Sequence, residues 1–155
     1  MSEIEFSYQS QPDNDSLYTD GPLIAVEITV PVPLVRYLRK NNFPPYPIAK
    51  GFALIDTGAA VTAVDDDVLQ QLAIPVVDTE PMQTVHGVAE MRLFNASVNF
   101  PGLGLSEVVL DRIPGGMIRS KTNTGADIIM LLGRDLLRGL KFTYDGPQSM
   151  LTITT

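Results

Sequence analysis

The 155-residue sequence predicts an all-β, barrel-like domain with one or two short helices. Three observations carry that reading. The apolar runs are of strand length and are bounded by Gly, Pro, Asn and Asp, residues that end ladders and make turns. Only two stretches, around VLQQLAI and RDLLRGL, have helical character, and both are brief. No long helical segment alternates with the strands, so βαβ units are disfavoured. The length suits one domain, and a chain of this size buries roughly 70% of its unfolded surface. With 45% hydrophobic and 19% charged residues it is globular in composition.

The elements follow in order. Residues 1–22 form an N-terminal segment apart from a main domain at 23–155. Within the segment, Ile4, Phe6 and Tyr8 alternate with polar neighbours over residues 3–8, the period of a strand with one buried face. Residues 9–22, QSQPDNDSLYTDGP, are a turn-rich linker. LIAVEITV at 23–30 is a strand that Pro31 and Pro33 interrupt. Residues 36–47, RYLRKNNFPPYP, are read as a solvated loop; with Lys50 this region holds four of the eleven basic residues. Gly51–Ile55 is a short buried strand. Asp65, Asp66 and Asp67 precede VLQQLAI, where carboxylates cap a helix and meet the positive end of its dipole; Pro75 ends that helix. Residues 83–100 read as a hairpin turning near His86-Gly87. LSEVVL at 105–110 is a strand, residues 112–126 are a long loop, and Ile128–Leu132 is a fully apolar strand stopped by Gly133. The helical RDLLRGL and strands around KFTY and MLTIT complete the chain.

Charge and residue inventory narrow the chemistry. Eleven basic against 18 acidic side chains give a formal charge of −7, which leaves no broad phosphate-neutralising surface and argues against a nucleic-acid partner. No apolar stretch is long enough to span a bilayer and the start has no signal-peptide pattern; with Met1 taken as the natural start, the expectation is a soluble, cytoplasmic chain with no membrane partner. Zero cysteines exclude disulfides, thiol nucleophiles and thiolate metal sites. One histidine, His86, leaves little for a zinc site or a Ser-His-Asp triad. No metal and no cofactor are expected, and carboxylates are the reactive groups that remain.

One motif stands out: Ala53-Leu54-Ile55-Asp56-Thr57-Gly58-Ala59. An ionisable side chain directly after an apolar strand is expensive to bury, and it sits where the chain must turn. In isolation the same tripeptide also describes an Asx-turn with Gly58 supplying flexibility. The run Leu131-Leu132-Gly133-Arg134-Asp135-Leu136-Leu137 lies downstream of it, with the Val85-His86-Gly87-Val88 hairpin turn between. In that order and spacing, over roughly Leu23 to Ile153, the sequence resembles the retropepsin-like (retroviral-type) aspartic proteases.

The resemblance implies a closed or partly open single-lobe barrel with a flap hairpin, and an endopeptidase that uses Asp56. A lone exposed Asp, with a pKa near ~3.9, is ionised at neutral pH and can act only as a base. Two carboxylates ~3 Å apart repel by about 5 kcal/mol at an effective dielectric of ~20, enough for the pair to share one proton. One carboxylate then activates water while the other protonates the substrate carbonyl. The chain offers one suitable motif. Asn123-Thr124-Gly125-Ala126 lacks the carboxylate, and Asp145-Gly146-Pro147 and Asp20-Gly21-Pro22 are turn sequences. Asp56 must therefore meet Asp56 of a second copy, as a residue on a two-fold axis does, and a homodimer acting on extended peptide or protein substrates is expected.

By the same resemblance Thr57 hydrogen-bonds across the dimer, Gly58 turns its N–H to the carboxylate, Leu131-Leu132-Gly133 packs against the loop and residues 85–88 close as a flap. Each has a plainer reading: a turn hydroxyl, a turn glycine, core strand, and for His86 a surface histidine rather than a pH-sensitive contact. The sequence also departs from the viral pattern. The viral motif continues to an acid that pairs with the arginine matching Arg134; here that position is Ala60, which leaves Asp65, Asp66 or Asp67 as partners for Arg134. Viral dimers interleave both chain termini in one sheet, for which Ile4, Phe6, Tyr8, Leu151 and Ile153 have suitable alternation, but the linker at 9–22 is extra. A binding or dimerisation module that keeps the fold without hydrolysis, or a domain that cleaves only its own chain, would share these motifs.

Overall fold

The apolar run ahead of Asp56 lies in the interior of a sheet. In the computed structural model, which describes residues 5–9, 16–105 and 107–154, it belongs to strand β3 (Ala49–Ile55). The other strands are β1 (Glu5–Gln9), β2 (Leu23–Thr29), β4 (Ala63–Asp65), β5 (Val76–Thr84), β6 (Gly87–Asn99), β7 (Val108–Gly116), β8 (Ser120–Lys121), β9 (Asp127–Leu132), β10 (Lys141–Asp145) and β11 (Met150–Thr154). Among the described residues there are also four short helices: α1 (Ser16–Thr19), α2 (Val32–Lys40), α3 (Asp66–Gln71) and α4 (Arg134–Leu137).

The larger sheet runs β2-β3-β9-β4-β7-β6-β5, and β2 also pairs with β6. That last pairing closes β2, β3, β9, β4, β7 and β6 into a ring, so six strands have neighbours on both sides and the barrel has no exposed edge among them. The predicted all-β barrel is therefore what the chain adopts. Its interior follows from strand periodicity. On β2, Ile24, Val26 and Ile28 point inward while Ala25 faces solvent. The apolar run Ile128–Leu132 of β9 is buried on both faces, with Ile129, Met130 and Leu132 almost fully enclosed; each contributes about 1.5–3 kcal/mol through burial.

A second sheet of three strands, β1-β11-β10, packs Leu151 and Ile153 into the core. Here β1 pairs with the chain's own β11, from Glu5 opposite Thr154 to Gln9 opposite Met150. The strand expected at 3–8 is thus found at 5–9, within one chain. Ile4 lies outside the described residues, as do residues 10–15 of the expected linker. The rest of that linker is structured, for α1 buries Leu17 in the core.

Two stretches read as loops are regular. Helix α2 occupies 32–40, where residues 36–47 were expected to be a solvated loop. The prolines that end β2 are compatible with a helix start, since Pro31 is the N-cap and Pro33 lies in the first turn, where backbone N–H groups have no intrahelical partner. The helix ends where Asn42 takes a left-handed conformation (φ 58°) and Phe43 N–H reaches back to Leu38 O at 3.0 Å. Strand β7 likewise runs on to Gly116 through the start of the expected 112–126 loop. A bulge makes this possible: the register shifts opposite Asn95, Arg112 adopts φ 57°, and its N–H donates to Asn95 Oδ1 at 2.9 Å.

The capping prediction holds at Asp65, which accepts from Val68 N–H at 3.3 Å at the head of α3. The hairpin also stands where expected, although its first strand reaches back to Val76 and includes Pro81, tolerated on an edge strand.

Candidate active site

Asp56 continues the parallel pairing of β3 with β9. Ile55 lies opposite Leu132, and Asp56 N–H donates to Leu132 O at 3.0 Å. The chain then leaves the sheet and turns back on its own carboxylate. Asp56 Oδ1 accepts Gly58 N–H at 2.9 Å and Ala59 N–H at 3.2 Å. This is the Asx-type turn that the tripeptide allows, and it holds the half-buried carboxylate in one orientation. A Cβ at Gly58 would lie 3.1 Å from Asp56 Oδ1, tight enough to push on the carboxylate. Thr57 and Gly58 are exposed at the head of the loop.

The segment after β9 grips this loop from the other side. Arg134 N–H donates to Ala59 O at 2.9 Å and Asp135 N–H to Ala60 O at 3.2 Å. Arg134 Nη1 donates to Thr57 O at 2.7 Å. That contact corrects the expectation that Arg134 pairs with one of Asp65, Asp66 or Asp67. Asp65 is taken up by the backbone N–H groups of Val68, Ile118 and Arg119, and Asp66 by Gln70 and Arg92. With Ala60 in place of an acid, the guanidinium takes the carbonyl of the loop itself.

Gly133 sits directly beneath. A Cβ there would stand 2.5 Å from the carbonyl carbon of Val61 and 2.7 Å from Thr62 N, so only glycine allows this approach. Its N–H donates to Thr62 Oγ1 at 3.0 Å, and the same hydroxyl donates to Asp135 Oδ1 at 2.7 Å. Asp135 Oδ1 also accepts Thr62 N–H at 3.0 Å and Leu136 N–H at 2.9 Å. Thr62 is 2% exposed. Neither Thr62 nor Asp135 was singled out by sequence reasoning; the available signal was a hydroxyl in the otherwise apolar Ala59–Val64 run. Leu131 and Leu132 lie in β9 alongside Leu54 and Ile55 of β3, as expected of a strand packed against the loop.

The hairpin tip is Val85-His86, bracketed by the paired Thr84 and Gly87. Thr84 Oγ1 donates to Gly87 O at 2.7 Å and accepts His86 N–H at 3.2 Å. Gly87 has φ 114°, a conformation that side chains resist. Val85 and Val88 are 95% and 72% exposed. At the other end of the hairpin, Arg112 reaches over β6 to β5, donating to Asp78 Oδ2 at 2.6 Å and Glu80 Oε1 at 2.5 Å. The guanidinium hydrogen bond, with Thr79 N–H, holds the Asp78 carboxyl below the usual aspartate range.

Asn123–Ala126 forms the turn between β8 and β9, closed by Thr122 N–H to Ala126 O at 2.9 Å, and carries no carboxylate. Among the described residues no cluster of His, Asp and Glu could hold a metal ion, and no helix is long and apolar enough to cross a membrane.

No protein-family model matches the sequence, and no curated protein matches it. Solved structures do. The chain is similar to a retropepsin-like aspartic protease from Rickettsia conorii, with a TM-score of 0.51 and 18% identity over 99% of this chain and 92% of that one. It also matches the simian foamy virus (mac) protease, with a TM-score of 0.45 and 17% identity over 76% of this chain and 92% of that one. On the likeness to the rickettsial structure, and on the closed barrel described above, the chain has the retropepsin-like fold.

Proposed function

We propose that this chain is an aspartic endopeptidase that works as a homodimer, with Asp56 of each copy forming one active site. The observation that carries the reading is the Asp56 loop. One carboxylate oxygen is fixed by two backbone N–H groups, and the loop is bound on its far side by Arg134 and Asp135, so the carboxylate is held in place without being used up. Oδ2 has no hydrogen bond among the described residues. A turn serving structure alone would not need β9, Gly133 and α4 to converge on it.

The chemistry follows from pairing two such groups. Brought to ~3 Å across a two-fold axis, the carboxylates share one proton. The ionised one removes a proton from a water molecule whose oxygen attacks the scissile carbonyl carbon, while the protonated one donates to the carbonyl oxygen. The tetrahedral intermediate collapses with cleavage of the C–N bond, and the proton taken from water passes to the departing nitrogen. Residues 85–88 at the hairpin tip serve as the flap in this reading, with exposed Val85 and Val88 offering apolar cover to an extended peptide. Thr57, exposed beside Asp56, hydrogen-bonds across the dimer in this reading.

Digestion of a peptide library by the wild-type chain and by Asp56→Asn, from about pH 3 to 8, tests the proposal. Cleavage by the wild type that the variant abolishes, strongest at mildly acidic pH, is expected. Equal cleavage by both, or by neither, would refute it and favour a binding module with the same fold.

A further inference from the structure

The acidic surplus of this chain is unevenly spread. Residues 31–50 carry four Lys or Arg and no Asp or Glu, while the remainder holds seven basic residues against all 18 acids. Lys50 is spent on Glu27 at 3.4 Å. Arg36, Arg39 and Lys40, on two successive turns of α2, are exposed and have no side-chain hydrogen bond or ion pair among the described residues. Helix α2 itself contributes no buried residue. Leu34, Tyr37, Phe43 and Ile48 expose 41–59% of their surface around it, an apolar and cationic patch on a chain that is otherwise strongly anionic.

The patch surrounds a cavity of about 570 Å³ where α2 meets residues 42–48, walled by Val35, Leu38, Phe43, Tyr46 and Ile48. The walls are anchored. Val32 N–H donates to Ser97 Oγ at 2.8 Å, Thr29 Oγ1 to Pro47 O at 3.0 Å, and Tyr46 Oη to Leu72 O at 2.5 Å. Pro44, Pro45 and Pro47 further limit the backbone. A groove formed in advance in this way loses little entropy when it is filled.

We propose that the α2 groove is a docking site for an acidic polypeptide segment whose apolar side chains enter the cavity while its carboxylates meet Arg36, Arg39 and Lys40. The inference goes beyond the protease reading and does not depend on it. Charge selects an anionic occupant, and the lining selects among anions. Val35, Leu38, Ile48 and the prolines, with the rings of Phe43 and Tyr46, make an apolar lining that takes leucine-like side chains. Glu107 on the same wall would repel a continuous phosphate tract or a uniformly anionic membrane, whereas a peptide can place its charges on the α2 side alone. The concave shape also suits side-chain insertion better than seating on a flat bilayer.

Fluorescence anisotropy tests this with the 155-residue chain carrying Asp56→Asn, which keeps the probe intact. The probe is a labelled peptide of about twelve residues built from Glu and Leu, compared with a Lys and Leu counterpart. The acidic peptide should bind at least ~10-fold more tightly, weaken with added salt, and lose at least ~10-fold in affinity in the Arg36→Glu, Arg39→Glu, Lys40→Glu triple variant. Phe43→Ser, a change at an exposed side chain, should weaken binding with the charges intact and serves if the triple variant does not fold. Affinity unchanged by these substitutions would overturn the proposal, as would no binding of the peptide. Tighter binding of phosphatidylserine vesicles or oligo-uridylate, abolished by the same substitutions, would overturn it in favour of those partners.

Discussion

A single oxygen of Asp135 accepts both the backbone N–H and the hydroxyl of Thr62, at 3.0 and 2.7 Å, across 73 positions of sequence. The hydroxyl in turn accepts Gly133 N–H, so three residues from two segments are joined beneath the Asp56 loop. Because Thr62 is buried, removing its hydroxyl leaves the Gly133 donor without a partner away from water. Thr62→Val, nearly equal in volume, should cost about 1–3 kcal/mol, or a fall in Tm of roughly 2–12 °C for a chain of this size. Thr62→Ser should retain most of the stability. Thermal melts followed by circular dichroism compare the two, and equal losses would show that the hydroxyl is not the source.

Two glycines should respond to different degrees and for different reasons. At Gly133 an added methyl meets the backbone of Val61 and Thr62, which cannot move without displacing the loop. Gly133→Ala should destabilise by about 3 kcal/mol or more. At Gly87 the space is open and only the φ of 114° resists a side chain, so Gly87→Ala should cost about 1–2 kcal/mol. Urea midpoints measure both, and a larger loss at Gly87 would contradict the packing described for Gly133.

The Arg112 bridge carries a pH signature. Asp78 has a lower pKa in the folded chain than its ordinary value, chiefly through the Arg112 hydrogen bond. The stabilisation is therefore fully present above the ordinary aspartate pKa and is lost as pH falls through the lower, folded value. The bridge should persist at mildly acidic pH and open in stronger acid. Both side chains are exposed, so the effect is local. Arg112→Met should lower amide-exchange protection, relative to the unfolded chain at the same pH, across residues 78–92 at neutral pH, and acid should then lower it little further. Unchanged exchange would mean that the backbone pairing alone holds the hairpin.

Thr57 and Arg134 separate loop position from fold. Arg134→Met removes the 2.7 Å bond to Thr57 O from an exposed position. Stability should fall by no more than about 1 kcal/mol, while cleavage, in the protease reading, should fall in kcat by tenfold or more with little change in KM. Arg134→Lys, without the planar fork, should restore cleavage only in part. A loss confined to stability would make Arg134 structural only.

What was legible in the sequence was contiguous. Leu54-Ile55-Asp56-Thr57-Gly58 and Leu131-Leu132-Gly133 each fix a local conformation, and both lie where their patterns indicate, side by side through the β3–β9 pairing. Strand-length apolar runs bounded by turn-forming residues, with only two brief helical stretches, were sufficient for an all-β barrel. Relations set by the path of the loop were not legible. Arg134 carries a charge, which suggested an acidic partner, yet the loop offers it a carbonyl. Thr62 and Asp135 are ordinary residues until the fold brings them together. Helix α2 was concealed by its prolines, which read as breakers but occupy its cap and first turn. The left-handed Arg112 that carries β7 past its bulge has no residue-type signal, since glycine would be the usual choice there.

The central claim is that one chain holds half of an active site. Wild-type and Asp56→Asn chains, mixed in equal amounts and allowed to exchange subunits at fixed total concentration, test it most directly. If both carboxylates are needed, only dimers of two wild-type chains cleave, and activity should fall to about one quarter of the all-wild-type value. Activity of about one half, tracking the wild-type fraction linearly, would mean that each chain acts independently, and about three quarters would mean that one Asp56 per dimer suffices; either would contradict the account.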